Sequence, residues 1–386
     1  MLQAKFRGAR VGLVCHQASR TAQGIHAAGL LAKNSHWYLT TLFGPEHGVA
    51  AAAAQDMECV VSGRDPATGL PAYSLYGDGE ASLIPTPAML RAVDVLAIDL
   101  QDIGARYYTY IYTTAFCLQA CAALHKPVLV CDRPNPIGGA TLEGPLSEPG
   151  FRSFVGWYPL PVRHGMTIGE AARYFNVEHR LRADLTVLPM DGWRRDWLWD
   201  DTGLAWVNPS PNMRSLAAAL LYPGLCLLEA TNVAEGRGTP TPFEHCGAPW
   251  IDGPRLAREI STLQLPGIHV EPTTFCPGAR KYAGTICQGV RFTITDRDRF
   301  TPYAFGLALL SVLRAFDGFR WRDPHGDLPD DGPYEFVTDR PAIDLLTGSA
   351  RVREAIDARK NWPEIAGFAG LPSETFQQRR KIHLLY

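Results

Sequence analysis

The chain has 386 residues, of which 46% are hydrophobic and 20% charged, and its formal net charge at pH 7 is −2. This composition is typical of a globular protein with a large core, most simply two domains, and the small net charge gives no general attraction for nucleic acid or anionic membranes. Nine cysteines occur without a CxxC pair, which favours reduced thiols over a disulfide framework.

No window approaches about 18 consecutive apolar residues, so no membrane-spanning helix is predicted. The N-terminal residues lead directly into a predicted strand, without an apolar h-region or a cleavage site. We therefore expect no signal peptide and a cytoplasmic protein. The pattern gives no indication of the oligomeric state.

Short apolar runs alternate with helical patterns in the first half of the chain. Strands are predicted at 10–15, 37–43, 93–100 and 127–131, and helices at about 24–33 and 107–125, whereas 62–90 has the composition of a loop. This alternation is typical of βαβ units and a mostly parallel sheet. The first half is therefore predicted to be Rossmann-like, a parallel sheet flanked by helices.

The stretch Asn208-Pro209-Ser210-Pro211-Asn212 is the best linker, because two prolines forbid a continuous helix. It divides the chain into a Rossmann-like catalytic domain, 1–208, and a smaller α/β domain, 209–386, that closes the cleft. A strand at 288–295 and helices at 303–316, 342–346 and 352–359 are expected in the second domain.

Polar residues follow each predicted strand of the first domain. They are His16 and Gln17, Glu46 and His47, Gln101 and Asp102, and Asp132 and Arg133. The carboxyl ends of parallel strands meet at one edge of the sheet, where ligands bind in open α/β folds. We therefore expect these turns to converge on one cleft, with Glu46 as its principal acid.

Simpler interpretations exist for each motif. A Glu-His pair such as Glu46-His47, taken alone, more often belongs to a structural loop in which the carboxylate caps the next helix or pairs with an arginine. Glu170, three residues after Thr167, is best explained as part of a capping box. The loop 229–240 holds two glutamates and an arginine among glycines, and either an anion-binding nest or a solvated loop explains it equally well.

Cofactor motifs are absent from the sequence: no GxGxxG follows a predicted strand, and no GxxxxGK[ST], HExxH or GxSxG occurs. We therefore expect neither a cofactor nor a metal. The remaining set of carboxylates, histidine, arginine, asparagine and aromatic residues suits hydrolysis of a glycosidic bond by acid chemistry.

Seven blocks, in order along nearly the whole chain, carry a family resemblance. They are 44–48 (GPEHG), 99–110 (DLQDIGARYYTY), 132–139 (DRPNPIGG), 163–170 (RHGMTIGE), 209–213 (PSPNM), 222–224 (YPG) and 229–239 (EATNVAEGRGT). The chain resembles the exo-β-N-acetylmuramidases, long known only as a bacterial domain of unknown function. The resemblance implies release of terminal N-acetylmuramic acid from peptidoglycan fragments at a cleft between two domains.

The resemblance also implies that Glu46 is the catalytic carboxylate. Asp102 and Glu235 are the expected second carboxylates, unless the substrate's own acetamido group replaces them, and His47 and His164 are expected to orient groups. Arg106 or Arg237 is expected to bind the lactyl carboxylate of the sugar. The full set predicted to bind substrate is Gln17, Gln101, Arg106, Tyr107, Tyr110, Asn135, His164, Asn212, Glu229, Asn232 and Arg237.

The sequence departs from the family pattern at three places, one of which is the alanine run at 50–54 in place of the Gly that usually follows the Glu-His-Gly block. Residues 15–19 read CHQAS where the family has Thr-Asn-Gln-Thr-Gly, and residues 230 and 234 are alanines where the family has Gly and Ser. These departures leave hydrolysis as the expectation and bear on the sugar preference. A second hypothesis is a non-catalytic protein whose cleft binds an anionic amino sugar or muropeptide without turning it over. In either case the expected partner is a small sugar.

Overall fold

The computed structural model describes residues 6–50, 60–328 and 331–386. Its strands are β1 (Arg10–Cys15), β2 (Tyr38–Gly44), β3 (Gly63–Arg64), β4 (Pro71–Ser74), β5 (Val95–Asp99), β6 (Val128–Cys131), β7 (Leu185–Leu188), β8 (His245–Ala248), β9 (Ile268–Phe275) and β10 (Cys287–Ile294). Its helices are α1 (Ala27–Ala32), α2 (Tyr110–Ala123), α3 (Ile168–Glu178), α4 (Leu216–Leu225), α5 (Gly253–Thr262), α6 (Pro302–Leu313), α7 (Ala342–Thr347), α8 (Arg351–Asp357), α9 (Trp362–Ala366) and α10 (Glu374–Lys381). None of the helices in these ranges is long and apolar enough to cross a membrane.

The larger sheet has seven strands in the order β3-β4-β2-β1-β5-β6-β7, and every pair is parallel except β3 with β4. The Rossmann-like fold class is therefore confirmed. The assignment of 62–90 to a loop was wrong at β3 and β4, which add two strands to the edge beside β2. Both are short and lie among glycine and proline, so neither shows the alternating pattern of a longer strand.

Both faces of the larger sheet are buried. On β1, Val11, Leu13 and Cys15 point to a small cluster beneath α1, whereas Val14 points to the main core. The main core also holds α2, which is buried around nearly its whole circumference. Burial on both faces explains why these strands read as continuous apolar runs rather than alternating ones.

The C-terminal part contains the smaller antiparallel sheet, in the order β8-β10-β9, with α5 packed on it through Leu256, Ala257 and Ile260. The predicted strand at 288–295 is β10, and the helix at 303–316 is α6. The capping box of Thr167 and Glu170 is confirmed at the start of α3. The predicted boundary at 208/209 stays a prediction.

Two helices of the C-terminal half meet at a pair of glycines. On α4, Gly224 faces Gly306 of α6, and a Cβ added to Gly306 would lie 2.5 Å from the Cα of Gly224. Only two residues without side chains allow this approach. The contact brings the 3₁₀ helix that follows α4, Cys226–Ala230, against the rest of the core.

We expect Gly306→Ala to lower the free energy of unfolding by about 1–3 kcal/mol, since the new methyl group forces the helices apart. Gly367→Ala is the matched control, because a Cβ there meets open space and its backbone is helical. The control should be neutral or stabilising by about 0.4–1 kcal/mol. Urea denaturation of both variants checks the contrast, which equal stabilities would contradict.

Candidate active site

One pocket collects acidic and aromatic side chains from both halves of the chain and contains about 460 Å³ of space, counted out to its open mouth. Its lining residues are Glu46, His47, Tyr107, Tyr108, Thr109, Tyr110, Val155, Ser210, Met213, Tyr222, Glu229, Arg237, Phe243, Tyr334 and Glu335. Seven of these residues lie before residue 208, six of them in the segments that follow β2 and β5, and the others lie beyond it.

Glu46 reaches the pocket through a sharp turn after β2. The chain folds back so closely that a Cβ on Gly44 would lie 2.5 Å from the backbone nitrogen of Val49, and His47 has a positive φ of 69°. Residue Glu46 is 6% exposed, and its carboxylate accepts a hydrogen bond from the Thr109 hydroxyl at 3.0 Å. Its other oxygen lies 4.0 Å from Nε2 of His47.

Glu229 lines the same pocket from the C-terminal half of the chain, near the end of the 3₁₀ helix after α4. Its Oε1 is 2.5 Å from Nη2 of Arg237, and its Oε2 accepts a hydrogen bond from the Tyr334 hydroxyl at 2.7 Å. Burial, together with the negative charges of Glu235 and Glu46, raises the pKa of Glu229 to about 7. Glu229 is therefore suited to hold or release a proton near neutral pH.

Glu235 lies behind Arg237 and does not line the pocket. Its two oxygens are bound by separate cations, Oε1 by Nε of Arg237 at 2.6 Å and Oε2 by Nζ of Lys281 at 3.0 Å. Lys281 also donates to the carbonyl oxygens of Leu228 and Val233. Glu235 and Lys281 thus fix the loop that carries Arg237.

Glu335 enters the pocket from a two-residue turn. Tyr334 and Val337 exchange backbone hydrogen bonds at 3.1 and 3.0 Å, and the two residues between them, Glu335 and Phe336, have φ values of 48° and 70°. Hairpin turns with two positive φ values strongly favour Asn-Gly or Gly-Gly. The hydroxyl of Tyr76 lies 3.3 Å from Oε2 of Glu335 and donates to it.

The pocket brings together six of the residues predicted from sequence. They are Glu46, His47, Tyr107, Tyr110, Glu229 and Arg237. Tyr107 and Tyr110 line the pocket. The hydroxyl of Tyr107 donates to the carbonyl oxygen of Pro223, and that of Tyr110 donates to the carbonyl oxygen of Pro209. The other predicted site residues do not line this pocket.

Asp102 and His164 form a separate buried pair, 3.6 Å apart, behind the turn that follows β5. Asp102 accepts a hydrogen bond from the backbone nitrogen of Gly104 at 2.7 Å. Gln101 donates to the carbonyl oxygens of Asp102 and Pro134. These contacts shape the turn that carries Tyr107 and Tyr110.

Gln17, Asn135 and Asn232 bind backbone groups of neighbouring segments. Gln17 donates to the carbonyl oxygen of Asn208, Asn135 to that of Met166, and Asn232 to that of Gly318. The side chain of Asn212 accepts a hydrogen bond from Gly238 at 3.4 Å.

Arg106 is fully buried, and its guanidinium donates to the carbonyl oxygens of Pro145, Leu160 and Leu346 at 2.5–2.9 Å. These hydrogen bonds connect three segments that are distant in sequence. Arg106 does not line the pocket, whereas Arg237 does.

Several residues that line the pocket were not predicted from the sequence to belong to the site. Thr109, Tyr108, Ser210 and Tyr222 lay inside quoted family blocks but carried no individual signal. Glu335 and Tyr334 had none, because their segment contains no regular element and no motif. Among the residues that the structure covers, no three histidine, cysteine or acidic side chains cluster so as to hold a metal ion.

Two family models match the chain, "Exo-beta-N-acetylmuramidase NamZ, N-terminal" over residues 11–217 and the corresponding C-terminal model over residues 220–386. The chain belongs to the NamZ family. The resemblance predicted from the sequence blocks is thereby confirmed. The peptidoglycan β-N-acetylmuramidase NamZ of Bacillus subtilis (strain 168) is 41% identical over 382 residues, which cover 99% of this chain and 88% of the relative.

Solved structures of two DUF1343 family proteins from Bacteroides fragilis NCTC 9343 share the NamZ architecture. The first matches with a TM-score of 0.85 and 31% identity, covering 100% of this chain and 96% of that one. The second has a TM-score of 0.73 and 27% identity, with coverages of 99% and 95%.

We expect Arg106→Lys to lower the free energy of unfolding by about 1–3 kcal/mol, because an ammonium cannot reproduce the fork that satisfies three carbonyl oxygens. Arg194→Lys is the matched control, since that guanidinium is exposed and, among the residues that the structure describes, pairs with Asp196 alone. The control should unfold like the parent protein in a thermal melt. Equal melting temperatures for both variants would contradict the bracing role of Arg106.

Proposed function

We propose that this protein is an exo-acting β-N-acetylmuramidase, which releases terminal N-acetylmuramic acid from peptidoglycan-derived fragments. The observation that carries the proposal is the buried carboxyl group of Glu46 in a pocket that is also lined by the carboxyl group of Glu229 and by tyrosines. Membership of the NamZ family, with a relative named for this activity, supports the substrate class.

In the proposed reaction, protonated Glu46 donates its proton to the glycosidic oxygen as the bond to the anomeric carbon breaks. Water then adds its oxygen to that carbon, and its proton passes to Glu229 where Glu229 activates the water, or back to Glu46 where the acetamido group has attacked the carbon first. The Thr109 hydroxyl, 3.0 Å from the carboxylate, orients it towards the pocket. His47, held by its left-handed backbone, lies beside the charge that Glu46 acquires.

We place the second carboxyl group at Glu229 instead of Asp102 or Glu235. Glu229 lines the pocket, whereas Glu235 is bound by two cations behind it and Asp102 holds its own turn. Glu229, with a pKa raised to about 7, is suited either to activate water or to accept a hydrogen bond from an acetamido group that attacks the anomeric carbon.

Aromatic rings and one guanidinium supply the remaining contacts that a charged sugar needs. Tyr108 and Tyr110 form an edge-to-face pair with centroids 4.8 Å apart, and Tyr222 packs edge-on against Phe243. Such faces suit the apolar side of a sugar ring. Arg237 lines the pocket while it pairs with Glu229 and Glu235, and it is proposed to add positive charge near the lactyl carboxylate without being its sole partner.

Replacing Glu46 by Gln should lower kcat by about 10²–10⁴-fold, because the amide cannot protonate the leaving oxygen. The fold should be unaffected, since Gln retains the size and an acceptor for Thr109. Hydrolysis of a chromogenic N-acetylmuramide, with a thermal melt in parallel, measures both effects. Glu80→Gln, at an exposed glutamate, is the control and should keep full activity; activity in the Glu46 variant would refute the assignment.

Digestion of a disaccharide with N-acetylmuramic acid at the non-reducing end and N-acetylglucosamine at the reducing end should give the two free sugars. An isomer with the order reversed should remain intact. Product analysis by mass spectrometry separates this outcome from the alternative function. Saturable binding of the first disaccharide without cleavage would instead identify a binding protein.

A further inference from the structure

We propose that Glu335 is a specificity-determining residue of this site, whose carboxylic acid donates a hydrogen bond to the carboxylate of the bound N-acetylmuramic acid, and that its left-handed turn holds it there. The inference rests on the proposed function for the identity of the sugar. It assigns the discrimination between this acidic sugar and neutral amino sugars to a residue outside the recognised sequence blocks.

The backbone conformation at Glu335 is the first observation that supports this proposal. Glu335 and Phe336 occupy consecutive positions with positive φ, although neither is glycine, asparagine or aspartate. Such conformations are unfavourable and persist only where the surroundings enforce them, and they concentrate at functional sites. A turn needed only for chain reversal would be more stable with Asn-Gly.

The surroundings do enforce this conformation. The hydroxyl of Tyr334 is hydrogen-bonded to Glu229, and the ring of Phe336 packs against Tyr76 with centroids 5.4 Å apart. Nη2 of Arg322 donates to the carbonyl oxygen of Pro333 at 2.7 Å, and its guanidinium lies 5.3 Å from the Tyr334 ring. These contacts of Tyr334 and Phe336 therefore fix the backbone on both sides of Glu335, whose side chain lines the pocket.

Charge balance is the second observation. Three carboxyl groups line the pocket, those of Glu46, Glu229 and Glu335, and the arginine among its lining residues already pairs with Glu229 and Glu235. With Glu46 protonated for donation to the glycosidic oxygen, a substrate carboxylate still meets the charges of Glu229 and Glu335 unless one of these two carries a proton as well. Glu335 is the best placed to carry it, because no arginine, lysine or histidine forms an ion pair with it among the described residues.

Electrostatics support the protonated form. Burial, and then the charges of Glu46 and Glu229, raise the pKa of Glu335 well above its ordinary value, while the Tyr76 hydroxyl and Arg322 act in the opposite direction. The other ionisable groups at the pocket are His47, Arg237 and tyrosines. A neutral carboxylic acid donates a short, strong hydrogen bond to a carboxylate.

Binding of the acidic sugar is expected to weaken as the pH rises. Below the pKa of Glu335 the donor is present and the acidic sugar binds, whereas above it a proton must be taken up on binding. The Kd for N-acetylmuramic acid should then rise by up to about tenfold per pH unit. Binding of N-acetylglucosamine, which has no carboxylate, should lack this contribution.

The test is calorimetric titration of the full chain with N-acetylmuramic acid and with N-acetylglucosamine, between about pH 5 and pH 9, in two buffers of different ionisation enthalpy. We expect Glu335→Gln, a donor that does not titrate, to bind the acidic sugar at low pH like the parent and to take up fewer protons at high pH. Glu335→Ala should lose at least about tenfold in affinity for the acidic sugar, with little change for the neutral one.

Stability gives an independent readout. Glu335→Asn suits a left-handed backbone better than Glu, so we expect an equal or higher melting temperature together with weaker binding of the acidic sugar. Gln264→Asn is the matched control, because Gln264 has a φ of 49° and lies outside the pocket. It should not change binding.

The inference is overturned if Glu335→Gln takes up as many protons as the parent, or if Glu335→Ala loses affinity equally for both sugars. A lower melting temperature for Glu335→Asn with unchanged binding would overturn it too, since that result indicates a purely structural residue. Failure of the proposed function is distinguishable, because the parent protein would then leave the disaccharide uncleaved, whatever the variants at Glu335 bind.

Discussion

Crowding of buried carboxyl groups around few cations is the constraint on which the site depends. Glu46, Glu229 and Glu335 line one pocket, and Glu229 shares Arg237 with Glu235 behind it. Separating so many like charges from water is unfavourable unless some remain protonated or paired. Burial is the main cause of the raised pKa values of Glu229 and Glu335 and the neighbouring carboxylates add to it, which gives the pocket its capacity for acid chemistry.

The fold meets this constraint by placing each of the three glutamates on a segment whose backbone conformation is restricted. Glu46 comes from a turn that only Gly44 permits, Glu229 from a short 3₁₀ helix braced by Lys281, and Glu335 from a left-handed turn. Each backbone resists the repulsion between the carboxylates. The pocket is therefore organised before a sugar binds, which is what electrostatic catalysis requires.

Many polar residues near the site support the backbone and do not face the pocket. His16 is an example: burial lowers its pKa to about 3, so it is neutral, accepting a hydrogen bond from Gln101 and donating to the carbonyl oxygen of Pro209. Gln17 and Tyr110 bind the same linker from the same sheet edge. The family blocks thus contain structural partners as well as the residues that line the pocket.

The sequence by itself determined the parallel sheet, the turn with Glu46 and the family, because apolar periodicity and a glycine-bounded motif are local patterns. Which polar side chains face the pocket was decided only by the tertiary structure. Asp102 and Glu235 have the same chemistry as Glu229, and all three lie in or beside conspicuous motifs, yet only Glu229 lines the pocket. Glu335, in a segment without any pattern, reaches it because Tyr76 and Phe336 pack together across 260 residues of sequence. Burial and pairing of charges depend on such distant contacts, and one-dimensional patterns do not encode them.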